Sequence, residues 1–317
     1  MAIQQLWQLY RTQGYDAVRN ASMINALDHF YVALLAFGEE AFAQATTSAH
    51  RAAELDPKHP VFVQGAAYLD RIMEQGKAGV YVDGEAFAAF IRGGGNVGLY
   101  AAISNELRAI YQSYETLTLL DIGVGDGFAL LPALTNNITQ LDVLEPSEAM
   151  LVNTTAQLDS WGVTYRAHHT TIQEFMRIGR EEGFDEQWNL IQATWSLQSI
   201  HPDQRPAIFG WMRRHSQHVV IAEFDVPGFS EQYAPERVQY IVDRYQKGLA
   251  EYEGDQVAQG FLMPVMFGYF DRSASRTNYE EPIQSWADKL LEAGFEDVQA
   301  RLLYHYWWAD AYVVEGR

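Results

Sequence analysis

The 317-residue chain contains no cysteine. A disulfide framework, a thiolate nucleophile, Cys-ligated zinc and an iron–sulfur cluster are therefore excluded, and the redox state of its compartment cannot be read from thiol usage. Positive charge is also scarce: 22 Lys and Arg stand against 41 Asp and Glu, a net charge of −19. Phosphate polyanions and anionic membrane surfaces are bound by clustered Lys and Arg, and no basic block occurs, so neither nucleic acid nor membrane is an expected partner. Long apolar runs are missing too. Tyr31 to Phe37 is the longest nearly continuous one, far short of the roughly 20 residues of a membrane span. The opening MAIQQLWQLYRTQG lacks a basic stretch followed by an apolar one, so no secretory leader is expected and a soluble cytoplasmic protein is the default. With 48% apolar and 20% charged residues, the composition is that of an ordinary folded protein.

Residues 1 to about 80 carry helical periodicity. Met23, Ile24, Leu27, Tyr31, Leu34 and Leu35 recur at three- and four-residue spacing, Glu39 to Leu55 is Ala-rich and stops at Asp56-Pro57, and Val61 to Glu74 fits another helix. Gly76, Gly79 and Gly84 loosen the chain before a short helix, Glu85 to Ile91. The triplet Gly93-Gly94-Gly95 then reads either as a hinge or as a point of close backbone approach, and a helix follows from Val97 to about Tyr114. From Thr116 the texture changes to alternating strands and helices. Strands are expected at 117–122, 139–144, 163–167, 188–193 and 218–224, with helices at 128–134, 147–161 and 202–214, the pattern of a parallel sheet covered on both faces. Two closing strands, 298–306 and 309–315, have a tight connection and should form an antiparallel hairpin at the sheet edge.

The densest chemical signal is Asp121-Ile122-Gly123-Val124-Gly125-Asp126-Gly127, where the first strand should pass into a helix. Glycines there let the backbone turn tightly and approach a ligand, while a helix N-terminus offers free amides. The dinucleotide fingerprint requires its third glycine at position 128, which is Phe128, so that spacing fails. An acid two places before the first of three alternating glycines resembles motif I of the class I S-adenosylmethionine-dependent methyltransferases. Glu145, within Leu144-Glu145-Pro146-Ser147 and 22 residues beyond Gly123, supports the resemblance. A carboxylate there can accept both hydroxyls of a ribose. The closing hairpin is also that family's topology.

The resemblance implies an α/β, Rossmann-like class I methyltransferase sheet, mostly parallel with a C-terminal antiparallel hairpin. A helical N-terminal domain over 1–114 would precede a methyltransferase domain over 115–317, with a helical or loop cap inserted at about 226–281. It implies S-adenosyl-L-methionine as cofactor, with no metal. Asp121 would anchor the methionine amino group through water. Gly123, Gly125, Asp126 and Gly127 would shape the turn beneath its carboxylate end, and Glu145, Pro146 and Ser147 would hold the ribose. Ile172 and Gln173 would meet adenine unless they are simply the start of a helix, and Thr194 would face the amino acid moiety.

Methyl transfer is an in-line displacement that depends on alignment, with a general base needed only if the acceptor must lose a proton. The missing thiols exclude arsenite methylation. His201 is a candidate base or a helix-start residue, and Tyr269 is a second candidate for orienting the acceptor. Trp195 and Gln198 are candidate substrate contacts after the fourth strand. Glu223 and Asp225, at the end of the fifth, could orient a hydroxyl or amine or bind loop backbone. Gly260 to Phe270 is too apolar to remain in water, so it is expected as a loop folded over the crevice, with Phe267 on the acceptor, or else as core or a dimer interface. Arg272 beside it could clamp an acidic group or pair with a surface carboxylate. The expected activity is methylation of an O, N, S or C atom of a small molecule in specialised metabolism, with a homodimer compatible with the aromatic N-terminal layer. A nicotinamide oxidoreductase and a non-catalytic binding protein of the same fold are the alternatives.

Overall fold

The computed structural model describes residues 1–77, 83–183 and 185–317; Gly79, read as part of a loosened stretch, lies outside them. The chain divides into two compact units, Met1–Val97 with Phe229–Arg276, and Gly98–Gly228 with Thr277–Arg317. The first boundary thus falls near residue 97 rather than 114. Residues 229–276, read as a cap on the sheet domain, group with the N-terminal helices. Among the described residues no helix is long and apolar enough to cross a membrane.

The second unit is built on seven strands: β1 (Leu117–Ile122), β2 (Ile138–Leu144), β3 (Tyr165–His168), β4 (Leu190–Thr194), β5 (Val219–Phe224), β6 (Gln299–His305) and β7 (Asp310–Gly316). Their order is β3-β2-β1-β4-β5-β7-β6. The first five are parallel, while β7 runs antiparallel between β5 and β6. This is the class I methyltransferase sheet. Strand pleating sends alternate side chains to opposite faces. Leu119, Leu141 and Val143 accordingly join Ile103, Leu107 and Tyr111 in one core, whereas Leu120, Ile122 and Leu144 join Trp188, Phe209 and Trp286 in the other. Sequential strands lie on either side of β1, with β2 to one side and β4 to the other, so the carboxyl ends of β1 and β4 open a crevice at a topological switch point.

Two local expectations fail for physical reasons. No α-helix follows the glycine turn at 128–134; a single 3-10 turn, Leu131–Ala133, takes its place. Pro132 removes a donor and would collide with the carbonyl four residues earlier. The carbonyls that a helix would have used are met from the Gly94–Gln112 helix instead. Ser104 Oγ donates to Phe128 O (3.2 Å) and Ala129 O (3.0 Å), and Arg108 donates to Pro132 O. That helix, assigned from sequence to the N-terminal domain, buries Ile103, Leu107 and Tyr111 at four-residue spacing in the core of the sheet.

In the helical unit the glycine triplet is a close approach rather than a loop. Gly94 has φ +50, and a Cβ there would sit 2.7 Å from the Tyr252 ring. Gly95 N donates to Glu251 Oε2 at 2.8 Å. The apolar segment expected as a loop is helical: a π-turn, Ala258–Leu262, runs into the helix Met263–Gly268. Pro264 lies in that helix's first turn, where its missing N–H costs nothing. Gly260 gives room to Ala86, whose Cβ would be 2.5 Å from an added methyl.

Candidate functional site

The turn after β1 is held by backbone geometry that glycine makes accessible. Gly123, Gly125 and Gly127 have φ of +74, +56 and +76, a region costly for side-chain-bearing residues. Space separates their roles. A Cβ on Gly123 would lie 2.4 Å from that of Ser196, and one on Gly127 would lie 2.7 Å from Leu131 Cδ1, but a Cβ on Gly125 would meet nothing within 4 Å. Gly123 and Gly127 therefore permit packing, while Gly125 faces open space. Thr154 Oγ1 donates to Gly125 O at 2.7 Å and pins the turn from the helix Glu148–Trp161.

Glu145, just past β2 and 6% exposed, is bound into the same turn. Its Oε2 accepts from Gly125 N at 2.9 Å and its Oε1 from Ser147 N at 2.8 Å. An ionised carboxylate offers about four acceptor positions, so two remain for a diol. Ser147 caps the following helix and Asp126 Oδ1 accepts from Asn153 Nδ2 at 3.2 Å. Pro146 O is met by His169 Nε2 at 3.0 Å.

Asp121, on β1 one residue before its end, is 1% exposed. Gln192 Nε2 on β4 donates to its Oδ2 at 2.8 Å. Its Oδ1 is buried with no hydrogen-bond partner among the described residues. Burial raises its pKa to about 7, with the Gln192 hydrogen bond opposing the rise and the Glu145 charge adding to it. A buried acceptor left open beside a glycine turn and a second carboxylate is suited to a cationic donor such as an ammonium.

At the end of β4, Thr194 is half-buried and Trp195 adopts φ +51, rare for a bulky residue. Its ring stacks on Phe224 (centroids 5.7 Å) and meets Tyr100 edge-on (5.3 Å), while Phe224 stacks on Tyr306 (5.5 Å). Trp195 Nε1 and Gln198 Oε1 are both buried without a hydrogen-bond partner among the described residues. Glu223, 1% exposed, accepts from Gln198 N at 3.1 Å. Burial lifts its pKa to about 8 although Arg205 and the Gln198 amide pull it down. Asp225 receives Ile283 N at 2.8 Å and serves the start of a helix.

Other expected residues have structural employment. Ile172 is 4% exposed and packs with Leu144 and Leu197 in the core as its helix begins. Gln173 Nε2 donates to Gln204 Oε1 at 3.0 Å. The His201 side chain is 50% exposed, and its Nδ1 accepts from Asp203 N at 3.3 Å as the cap of a short turn. Three more lie in the helical unit. Phe267, expected against an acceptor, is fully buried among Phe30, Phe37 and Tyr68, with centroids 6.3, 5.0 and 5.0 Å away. Arg272 pairs with Glu39 and donates to Tyr10 Oη, which is the surface-pair alternative. Tyr269 is half-buried, its carbonyl accepting from Gln232 Nε2 at 2.9 Å.

Sequence reasoning missed Gln192 and Tyr111, whose hydroxyl donates to Gln192 Oε1 at 2.5 Å. It also missed Asp142, fully buried on β2 and bound by Arg166, His168, Gln140 and Trp188. A polar residue between Leu141 and Val143 in a buried strand was the available signal.

No family model matches the chain, and no curated protein does. Among solved structures, it is similar to a 1,6-didemethyltoxoflavin-N1-methyltransferase from Burkholderia thailandensis, solved with 1,6-didemethyltoxoflavin and S-adenosylhomocysteine (14% identity, 68% of this chain and 77% of that one, TM-score 0.45). It is also similar to the magnesium protoporphyrin IX methyltransferase of Synechocystis PCC 6803 with bound S-adenosylmethionine (9% identity, 80% and 96%, TM-score 0.47). A third likeness is to a Nostoc punctiforme PCC 73102 protein assigned as an O-methyltransferase (12% identity, 92% and 72%, TM-score 0.45).

Proposed function

We propose that the protein is an S-adenosylmethionine-dependent methyltransferase acting on a compact, partly apolar small molecule. The observation that carries this reading is the open Oδ1 of Asp121, buried beside three glycines of positive φ and the Glu145 carboxylate. When bound, the cofactor supplies an electrophilic methyl group on a sulfonium centre. Asp121 Oδ1 accepts the methionine ammonium, and the two free acceptor positions of Glu145 take the ribose hydroxyls. Gly125, with nothing where its side chain would be, lets the backbone approach the amino acid moiety.

For the acceptor, the half-buried Trp195 and Phe224 rings offer an apolar wall backed by Tyr306, and Trp195 Nε1 and Gln198 Oε1 offer one donor and one acceptor. Glu223, its pKa lifted to about 8 by burial, carries its proton through most of the neutral range and can donate a hydrogen bond that orients an acceptor hydroxyl or amine. The scarcity of cations supports a small molecule over a nucleic acid. A soluble cytoplasmic enzyme of specialised metabolism is the setting proposed with this reading, and a homodimer is compatible with it.

Calorimetry with S-adenosylhomocysteine and with NAD tests it. Binding of the first and not the second is expected. Failure to bind S-adenosylhomocysteine at millimolar concentration would sink the reading, and binding of NAD instead would favour the oxidoreductase.

A further inference from the structure

Asp121 is one end of a three-residue chain spanning three elements. Tyr111, on the helix Gly94–Gln112, donates its hydroxyl to Gln192 Oε1 at 2.5 Å, and Gln192, on β4, donates Nε2 to Asp121 Oδ2 at 2.8 Å. Tyr111 and Gln192 are 0% exposed and Asp121 is 1% exposed, so water does not compete for these bonds. A side-chain amide can present either its oxygen or its NH2 group. Presenting oxygen to a buried carboxylate would be repulsive. With the carboxylate drawing the NH2 group, the amide oxygen turns to Tyr111, whose hydroxyl donates to it and supports that orientation.

We propose that Tyr111 and Gln192 are positioning residues for cofactor binding: through one directed hydrogen bond to Oδ2 they fix the rotamer of Asp121 so that Oδ1 is left aimed at the ammonium of the methionine moiety. This rests on the methyltransferase reading above. The chain is dead-ended at Tyr111, whose pKa burial raises well above the usual phenol value, so the hydroxyl remains a donor throughout the neutral range. The titratable groups bearing on Asp121 are Tyr111 from the helix and Glu145 from the end of β2. Without the Gln192 donor, the Glu145 charge and burial would act on Asp121 unopposed, and its carboxylate would be ionised only at higher pH.

The test compares wild type, Gln192→Met and Tyr111→Phe in the full chain, using two ligands over pH 5.5–8.5: S-adenosylhomocysteine, and methylthioadenosine, which shares the thioether and adenosine but has no ammonium. Loss of a hydrogen bond to a charged group corresponds to roughly 10–100-fold. We expect Gln192→Met to weaken S-adenosylhomocysteine by about tenfold or more at pH 7 and move the acid limb of its affinity profile upward. Tyr111→Phe should do the same to a smaller extent, and both variants should bind methylthioadenosine as wild type does. Tyr111→Phe removes one oxygen and keeps the ring packing, so it answers the question if Gln192→Met does not fold. Equal weakening of both ligands, or of neither, overturns the positioning role and leaves the methyltransferase reading standing. Failure of wild type to bind S-adenosylhomocysteine overturns both.

Discussion

Asp121 and Asp142 sit on neighbouring strands, one register step apart: Leu120 pairs with Asp142 and Asp121 with Val143. They are 1% and 0% exposed, yet they are built oppositely. Asp142 lies mid-strand and is saturated. Arg166 reaches it twice at 2.6 Å, Trp188 Nε1 donates at 2.8 Å, Gln140 at 2.9 Å, and His168 Nε2 lies 3.0 Å away. Burial by itself would raise its pKa, but the hydrogen bonds from His168, Arg166, Gln140 and Trp188 hold it well below the usual carboxylate range. Asp121, by the strand end, receives one side-chain donor, Gln192 Nε2, on Oδ2 and has an open Oδ1, and burial keeps its pKa near 7. Burial of an acid is therefore no guide to its role. A saturated carboxylate holds strands together, whereas a deficient one at a switch point stores binding capacity.

The largest effect expected from breaking this contrast is on stability at Asp142. Asp142→Ala removes the acceptor of the Trp188 indole and the carboxylate shared by Arg166 and His168, and should cost about 3 kcal/mol in denaturant unfolding. S-adenosylhomocysteine affinity should be unchanged in the protein that remains folded. Because its folded pKa is depressed, the Asp142 contribution is present above the unfolded value of about 3.9 and is lost as pH falls through and below it. The variant should accordingly show a flatter loss of stability in acid.

Asp121→Asn should invert both readouts. On the proposed methyltransferase reading, losing the charge assigned to the ammonium is expected to weaken S-adenosylhomocysteine by about 30–100-fold. Asp121 has a raised folded pKa, so its contribution is full below about 3.9 and is lost as pH rises through about 7. At pH 8 the variant should be no less stable than wild type, and is expected to gain about 1–2 kcal/mol. A loss of stability at pH 8 equal to that of Asp142→Ala would erase the distinction. Glu145 is intermediate, carrying two backbone amides and two open acceptor positions. Glu145→Gln should weaken the ligand by about tenfold while costing less than about 1 kcal/mol of stability.

The sequence made the strand-end features legible because they are local. Leu117–Ile122 reads as β1 from its own apolar run, and three glycines at alternate positions need only their neighbours to form a turn. Asp121 and Glu145 are marked by the resemblance of this stretch to motif I of the class I methyltransferases, which rests on the glycines at 123, 125 and 127. The contacts that distinguish the two aspartates are not local. Gln192 lies 71 residues from Asp121 and 81 from Tyr111, and Trp188 lies 46 from Asp142. A glutamine within a buried strand and a tyrosine on a helix carry no mark of their partners. The same distance effect hid the fate of 128–134, because its carbonyls are satisfied by Ser104 and Arg108, more than twenty residues earlier. In the helical unit, Gly260 and Pro264 resemble breakers, but one accommodates a neighbour and the other lies where a helix tolerates proline.

The smallest effect should come from thinning the saturated site rather than emptying it. Arg166 is half exposed and ties Asp142 to Glu186 at 2.6 Å as well. Arg166→Met removes two donors from Asp142, yet Trp188, His168 and Gln140 continue to hold the carboxylate. The expected cost is about 1 kcal/mol or less, near the upper limit for solvent-accessible ion pairs, and it should shrink further as salt is raised. The matching change at Asp121 is Gln192→Met, which removes a single donor with no substitute on the same oxygen. If losing two donors at Asp142 proves costlier to ligand binding than losing one at Asp121, donor number does not separate the two sites. If the order holds, redundancy is what marks Asp142 as structural, and its absence is what leaves Asp121 answerable to a ligand.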